Sequence, residues 1–125
     1  MRKEAKFQTK FNHWVKSIFK DTACFELKQT TEDSLPFSDV QPHQAEALYN
    51  AKHGIVVHKI PDCGFQNPFD SFCISRELAF VVICYPGFFC LIDIDKFIEE
   101  RDVLSARKSL TSERAREIAD YVIDL

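Results

Sequence analysis

Apolar residues recur at helical spacing over residues 3–20, where Phe7, Phe11, Trp14, Val15, Ile18 and Phe19 form one stripe and the lysines lie mostly off it. A short strand is expected over Ala23–Gln29, with Cys24, Phe25 and Leu27 in it. Residues 30–42 are polar, contain two prolines and read as a loop. Pro42–His53 reads as a helix, with proline in its first turn and Gly54 as its stop. Residues 55–60 are β-branched and strand-like, and residues 61–68 form a turn-rich loop around Gly64 and Asn67. Strands are then expected over residues 69–74, Leu78–Tyr85 and 88–94, with tight turns at Ser75-Arg76-Glu77 and Pro86-Gly87. A short helix follows over residues 95–101, and a last helix over 113–123 is capped by Thr111 or Ser112. This order predicts one α/β (α+β) domain over residues 1–125, with a central mixed sheet of about five strands flanked by helices.

Composition narrows the class. Hydrophobic residues are 46% and charged residues 28%, with twelve phenylalanines available for a core, so a folded globular domain is expected rather than a disordered one. The longest apolar stretch, residues 79–92, is interrupted by Pro86-Gly87 and is too short to span a bilayer. The opening MRKEAKFQTK has no apolar core of a secretory signal, so no membrane partner and a cytoplasmic location (bacterial or phage-infected host cell) are expected. The five cysteines, odd in number and partly inside apolar runs, read as buried thiols in a reducing compartment. Cys63 with His53 and His58 fits no standard zinc spacing.

Net charge is −3 but unevenly placed. Residues 1–20 carry +5 through Arg2, Lys3, Lys6, Lys10, Lys16 and Lys20 against Glu4, and the remainder carries −8. A basic helix on an acidic body suits phosphate contact through Lys3, Lys6 and Lys10, although a solvated helix face has the same composition.

Three local features carry chemistry. In Phe25-Glu26-Leu27-Lys28, strand alternation puts Glu26 and Lys28 on one face. A carboxylate there can bind a divalent cation, and an ammonium can orient or deprotonate a water; a surface charge pair is the plain alternative. Asp70 in NPFDSF stands at the mouth of an apolar strand, and with Glu26 would supply the oxygen ligands a hard cation such as Mg²⁺ or Mn²⁺ prefers. Gln44, near a helix start, could hydrogen-bond a phosphate, or simply cap the helix.

Taken in order, FELK, the loop LPFSDVQPHQ, the helix AEALYNAKHG, the strand IVVHKIP and the closing FFCLIDIDKFI resemble the PD-(D/E)XK nuclease superfamily, and within it the small Holliday-junction resolvases and phage-type recombination nucleases. The resemblance covers residues 3–101. It implies a restriction-endonuclease-like fold and a Mg²⁺-dependent DNA endonuclease hydrolysing phosphodiesters. In those roles Glu26 and Asp70 would hold the metal and the Leu27 carbonyl would complete its coordination. Lys28 would act on the water, Gln44 would assist at the phosphate, and Glu4 would add a second-shell or second-metal contact. A homodimer follows if branched junctions are the substrate. The sequence departs from the family order, because the metal-binding aspartate normally precedes E-x-K, whereas Asp70 follows Lys28. The strand where E-x-K would stand, within residues 79–84, is apolar, which suggests a migrated or permuted site. Asp62 is the next choice for the second ligand, and Asp21 or Asp39 remain alternatives. So does a non-catalytic nucleic-acid-binding or protein-interaction module on the same fold.

Overall fold

A computed structural model describes residues 3–17, 23–59, 71–75 and 78–125, with side chains outside the description for residues 3–6, 17, 55–59 and 71–75. Four strands form the main sheet: β1 (Ala23–Gln29), β5 (Leu78–Tyr85), β6 (Phe88–Asp93) and β8 (Tyr121–Asp124), in the order β1-β5-β6-β8. β1 runs parallel to β5, and the β5–β6 and β6–β8 pairs are antiparallel. Two ribbons stand apart from it: β2 (Ser34–Pro36) with β7 (Ser109–Thr111), and β3 (Ile55–Lys59) with β4 (Ser71–Ser75). The helices are α1 (Lys3–Ser17), α2 (Pro42–His53), α3 (Ile94–Glu99) and α4 (Ser112–Ile118). The result is the expected α+β domain, with a mixed sheet of four strands among the described residues where about five were expected.

Strand alternation divides the core in two. Phe80, Val82 and Cys84 of β5, with Phe89 and Leu91 of β6, pack under Phe7, Phe11 and Trp14 of α1. Ala79, Val81, Ile83 and Tyr85, with Cys90 and Ile92, face the opposite way onto Ala45 and Leu48 of α2 and Phe97 of α3. β5 is buried along all but its first residue because it lies between two strands and beneath helices on both faces. That double cover explains its uninterrupted apolar run. The β5–β6 turn uses Gly87 at φ +91°, a conformation that L side chains rarely adopt.

The structure departs from the sequence expectation at several elements, among them β7, where no strand was expected. Residues 30–42, expected as loop, contain β2 and a 3₁₀ turn at Phe37–Asp39, because Leu35, Phe37 and Val40 are buried in the α2-side cluster. The short helix after β6 continues through a π-helical turn at Glu100–Leu104, where the buried Glu100 carboxylate receives Arg114 Nε at 2.9 Å and Nη2 at 3.1 Å. The last helix ends at Ile118 and not at 123. Beyond it the Asp120 amide donates to the Leu91 carbonyl at 2.9 Å, and Tyr121-Val122-Ile123 add a strand to β6. Pairing with an open sheet edge outweighs helical propensity for those β-favouring residues.

Candidate active site

The candidate site lies on β1, at the edge of the main sheet. Ala23, Phe25 and Leu27 pack on the α1-side cluster, whereas Cys24 packs on the α2-side cluster. Alternation therefore sends Glu26 and Lys28 to the α2 side. Their charged groups meet there, with Lys28 Nζ at 3.3 Å from Glu26 Oε1 and side chains 20% and 28% exposed respectively, so the pair is half-sheltered but open to water. E-x-K is thus a paired unit on one strand face, as its spacing predicts.

The ladder also sets the Leu27 carbonyl. The Thr30 amide donates to the Cys84 carbonyl at 3.0 Å, which turns the backbone of Thr30 toward β5. The β1–β5 register runs unbroken from Ala23 to Gln29, so the backbone groups of residues 24, 26 and 28 also face β5. Those of residues 25, 27 and 29 face outward from the edge. Leu27 therefore presents its carbonyl to the open side of the strand that carries the Glu26 carboxylate.

A cleft of about 580 Å³ runs past this edge. Phe7 and Gln8 of α1 form one wall, and Leu27, Lys28, Gln29 and Thr30 form the other. Lys10, one turn along α1 from Phe7, is exposed and lies close enough to influence the Cys84 thiol electrostatically. Lys28 borders this cleft through β1, while its ammonium pairs with Glu26, which does not line the cleft, on the α2 side of the strand.

The remaining predicted residues fare unequally. Gln44 caps α2: its Oε1 accepts the Gln41 amide at 3.0 Å, which leaves the amide nitrogen for any other partner. Lys3, Glu4 and Lys6 lie on the α1 backbone, with side chains outside the description. Asp70, Asp62 and Asp21 lie outside the described residues. Asp39 lies in the 3₁₀ turn after β2 and is exposed. Among the described residues no group of three or more His, Cys, Asp or Glu side chains converges. No helix among them is long and apolar enough to cross a membrane.

Sequence reasoning missed a second polar cluster, at the far end of α2. Lys52 Nζ lies 2.8 and 2.9 Å from the Asp93 carboxylate oxygens and 2.6 Å from Asp95 Oδ2. His53 Nε2 lies 2.7 and 2.6 Å from the two Asp95 oxygens. Asp93 also caps α3 by accepting the Asp95 amide at 2.8 Å. Burial works against the charged Lys52, yet its hydrogen bonds to Asp93 and Asp95 prevail and raise its pKa. Burial likewise opposes ionised Asp95, and the hydrogen bonds from Lys52 and His53 prevail and lower it. The cluster pins the end of α2 to the β6–α3 corner. Its members come from AKHG and DIDK, too far apart in the chain for a local pattern to join them.

Neither protein-family models nor curated proteins match this chain.

Proposed function

We propose that the protein is a metal-dependent nuclease that hydrolyses DNA phosphodiesters at the edge of β1. The observation that carries this reading is the paired Glu26 and Lys28 on one face of an edge strand, next to the outward-facing Leu27 carbonyl, with an open cleft along the α1 side of the same edge. The donors suit Mg²⁺ or Mn²⁺: a hydrated carboxylate and a backbone carbonyl are hard oxygen ligands, and such cations keep several waters and take few protein groups. Glu26 and Leu27 would hold the cation, with Asp70 as the second carboxylate. Bound there, it would supply Lewis-acid polarisation of the phosphate and acidify water.

The chain's own residues carry the rest. Lys28 orients the attacking water and offsets charge growing on the phosphate oxygens. The Glu26 carboxylate, 3.3 Å from the Lys28 ammonium, holds it on their shared α2-side face of the strand. Lys3, Lys6 and Lys10 on α1 fasten the backbone of the nucleic acid electrostatically, with no base selection. Gln44 is left a supporting part through its amide nitrogen. Branched DNA is the favoured substrate, and a junction-directed enzyme would work as a homodimer, because paired cuts need two sites.

The test is cleavage of labelled four-way junction, flap and single-stranded DNA in Mg²⁺, in Mn²⁺ and in chelator. Lys28→Ala should retain metal binding and lose about 100-fold or more in rate, as befits a group acting in the transition state. Glu26→Ala and Asp70→Ala should lose both. Cleavage that persists in chelator rejects metal-assisted hydrolysis. Full activity in Asp70→Ala with loss in Asp62→Ala moves the second ligand into the preceding loop. Tight junction binding with no cleavage by wild type makes the chain a non-catalytic DNA-binding module.

A further inference from the structure

A cavity separate from the β1 cleft opens at the start of α2, with a volume of about 680 Å³, within the range of about 300–1,000 Å³ usual for small-molecule sites. Its floor is apolar, built from Phe37, Val40 and Ala45, all buried, with the half-buried Ile98 beside them. Tyr49 stands in its wall, 45% exposed, its ring 4.7 Å from that of His53 between centroids. The rim carries Arg101, Arg107 and Lys108 against one acid, Glu46. Arg101 is held by Asp102, with Nε 2.7 Å from Oδ1. Among the described residues neither Arg107 nor Lys108 is in an ion pair, so with Arg101 held by Asp102 the rim keeps two unpaired cations against one acid, Glu46, and a net positive charge.

The fold holds these groups in place. Phe37 donates its amide to the Lys108 carbonyl at 3.0 Å, which ties the cavity floor to the cationic rim. The Arg107 amide donates to Ser105 Oγ at 3.1 Å, and that hydroxyl donates to the Arg107 carbonyl at 3.1 Å. The backbone under both cations is therefore fixed on one side of the cavity, with an exposed aromatic ring elsewhere in its wall. A cavity with an apolar floor, an exposed tyrosine in its wall and a cationic rim fits a ligand that is aromatic in its body and anionic at one end. A purely apolar ligand would leave the two cations without use, and a bare inorganic anion would leave Tyr49 and the floor uncovered.

We infer that this cavity binds a nucleoside monophosphate unit, with the base against Tyr49 and the apolar floor and the phosphate on Arg107 and Lys108. The shared chemistry admits two sources, a free nucleotide or the phosphorylated end of a strand. The site is distinct from the Glu26–Lys28 cleft and does not depend on it.

Calorimetric titration of the full chain in chelator, which prevents cleavage, tests this with deoxyadenosine monophosphate, deoxyadenosine, inorganic phosphate, and short oligodeoxyadenylates with and without a 5′ phosphate. The nucleotide should bind, and more tightly than deoxyadenosine or phosphate alone. Arg107→Ala/Lys108→Ala should weaken it at least about tenfold, the loss expected when charge-assisted hydrogen bonds go. Tyr49→Ala should weaken it about five- to hundredfold and Tyr49→Phe should restore it, as for base stacking. Lys28→Ala should leave the affinity unchanged. Tighter binding of the 5′-phosphorylated oligomer than of the mononucleotide assigns the site to strand ends; equal binding assigns it to free nucleotide. Absence of nucleotide binding, binding unaffected by the double variant, equal affinity for inorganic phosphate, or loss in Lys28→Ala would each overturn the inference.

Discussion

Replacing Phe11 by alanine isolates what holds α1, and so one wall of the candidate cleft, against the sheet. Phe11 is 3% exposed, and its ring meets Phe25 at 5.1 Å, Phe89 at 5.9 Å, Trp14 at 6.2 Å and Phe7 at 6.3 Å between centroids. The Phe25 and Phe89 contacts are edge-on, the favoured aromatic geometry. A large-to-small change at a buried phenylalanine costs about 3–5 kcal/mol, transfer and cavity together. The upper half of that range applies here, because four rings would border the hole and rings on sheet strands cannot collapse into it. Against a total stability of about 5–15 kcal/mol, this is a large fraction. The assay is urea unfolding followed by far-ultraviolet circular dichroism and by emission of Trp14, the single tryptophan, on the same helix. If α1 stays docked, both probes shift to a lower midpoint together. If α1 detaches first, Trp14 emission is red-shifted without urea while the sheet transition moves little. A variant that loses less than about 1 kcal/mol and keeps buried Trp14 emission would refute this account of the α1 interface.

Gly87→Ala should cost about 1–2 kcal/mol from backbone strain alone, since φ is +91° and a Cβ there meets nothing within 4 Å; a neutral result in urea unfolding refutes the strain argument. Asp95 has a folded pKa below its ordinary 3.8, so its stabilisation is complete above that value and disappears as pH falls through the folded one. Asp95→Asn should therefore be less stable than wild type at pH 6, with the gap closing in strong acid, and a pH-independent gap is the contrary outcome. Lys52 lies above its ordinary 10.5, so its contribution is complete below pH 10.5 and disappears as pH rises through the folded value, and Lys52→Met should flatten that alkaline loss in unfolding curves. Burial pushes the Cys90 thiol up to about 12, so mass mapping should find Cys90 unmodified by a thiol reagent at pH 8 until urea unfolds the chain.

The elements legible in the sequence are those whose burial pattern is local. The α1 stripe from Phe7 to Trp14 and the apolar run of β5 were readable because each element meets its whole environment with one periodicity. β2 and β8 were not, for a shared reason. Each is a short strand completed by a partner distant in sequence: Leu35 opposite Leu110, and Ile123 opposite Phe89. Residues 113–123 contain a helical pattern up to Ile118, and nothing local marks that Tyr121–Asp124 meet an open β6 edge. The Lys52–Asp93–Asp95 cluster escaped notice likewise, since the fold, not the spacing, brings its members together.

The candidate site was half legible. Period-two spacing predicts that Glu26 and Lys28 share a face, and their 3.3 Å contact bears that out, but spacing cannot say whether the strand is central or at an edge. That distinction decides what the pair can do. On β5, covered on both faces and flanked by two strands, a carboxylate and an ammonium would lose their hydration, and no backbone carbonyl would be free of the ladder. All seven β1 positions are half-buried, and alternate carbonyls point away from β5. At this edge a charged pair stays hydrated while Leu27 offers an oxygen beside it. The apolar β5 and the charged β1 are therefore one arrangement: the covered central strand excludes charge, and the edge strand beside it keeps its charged pair in reach of water.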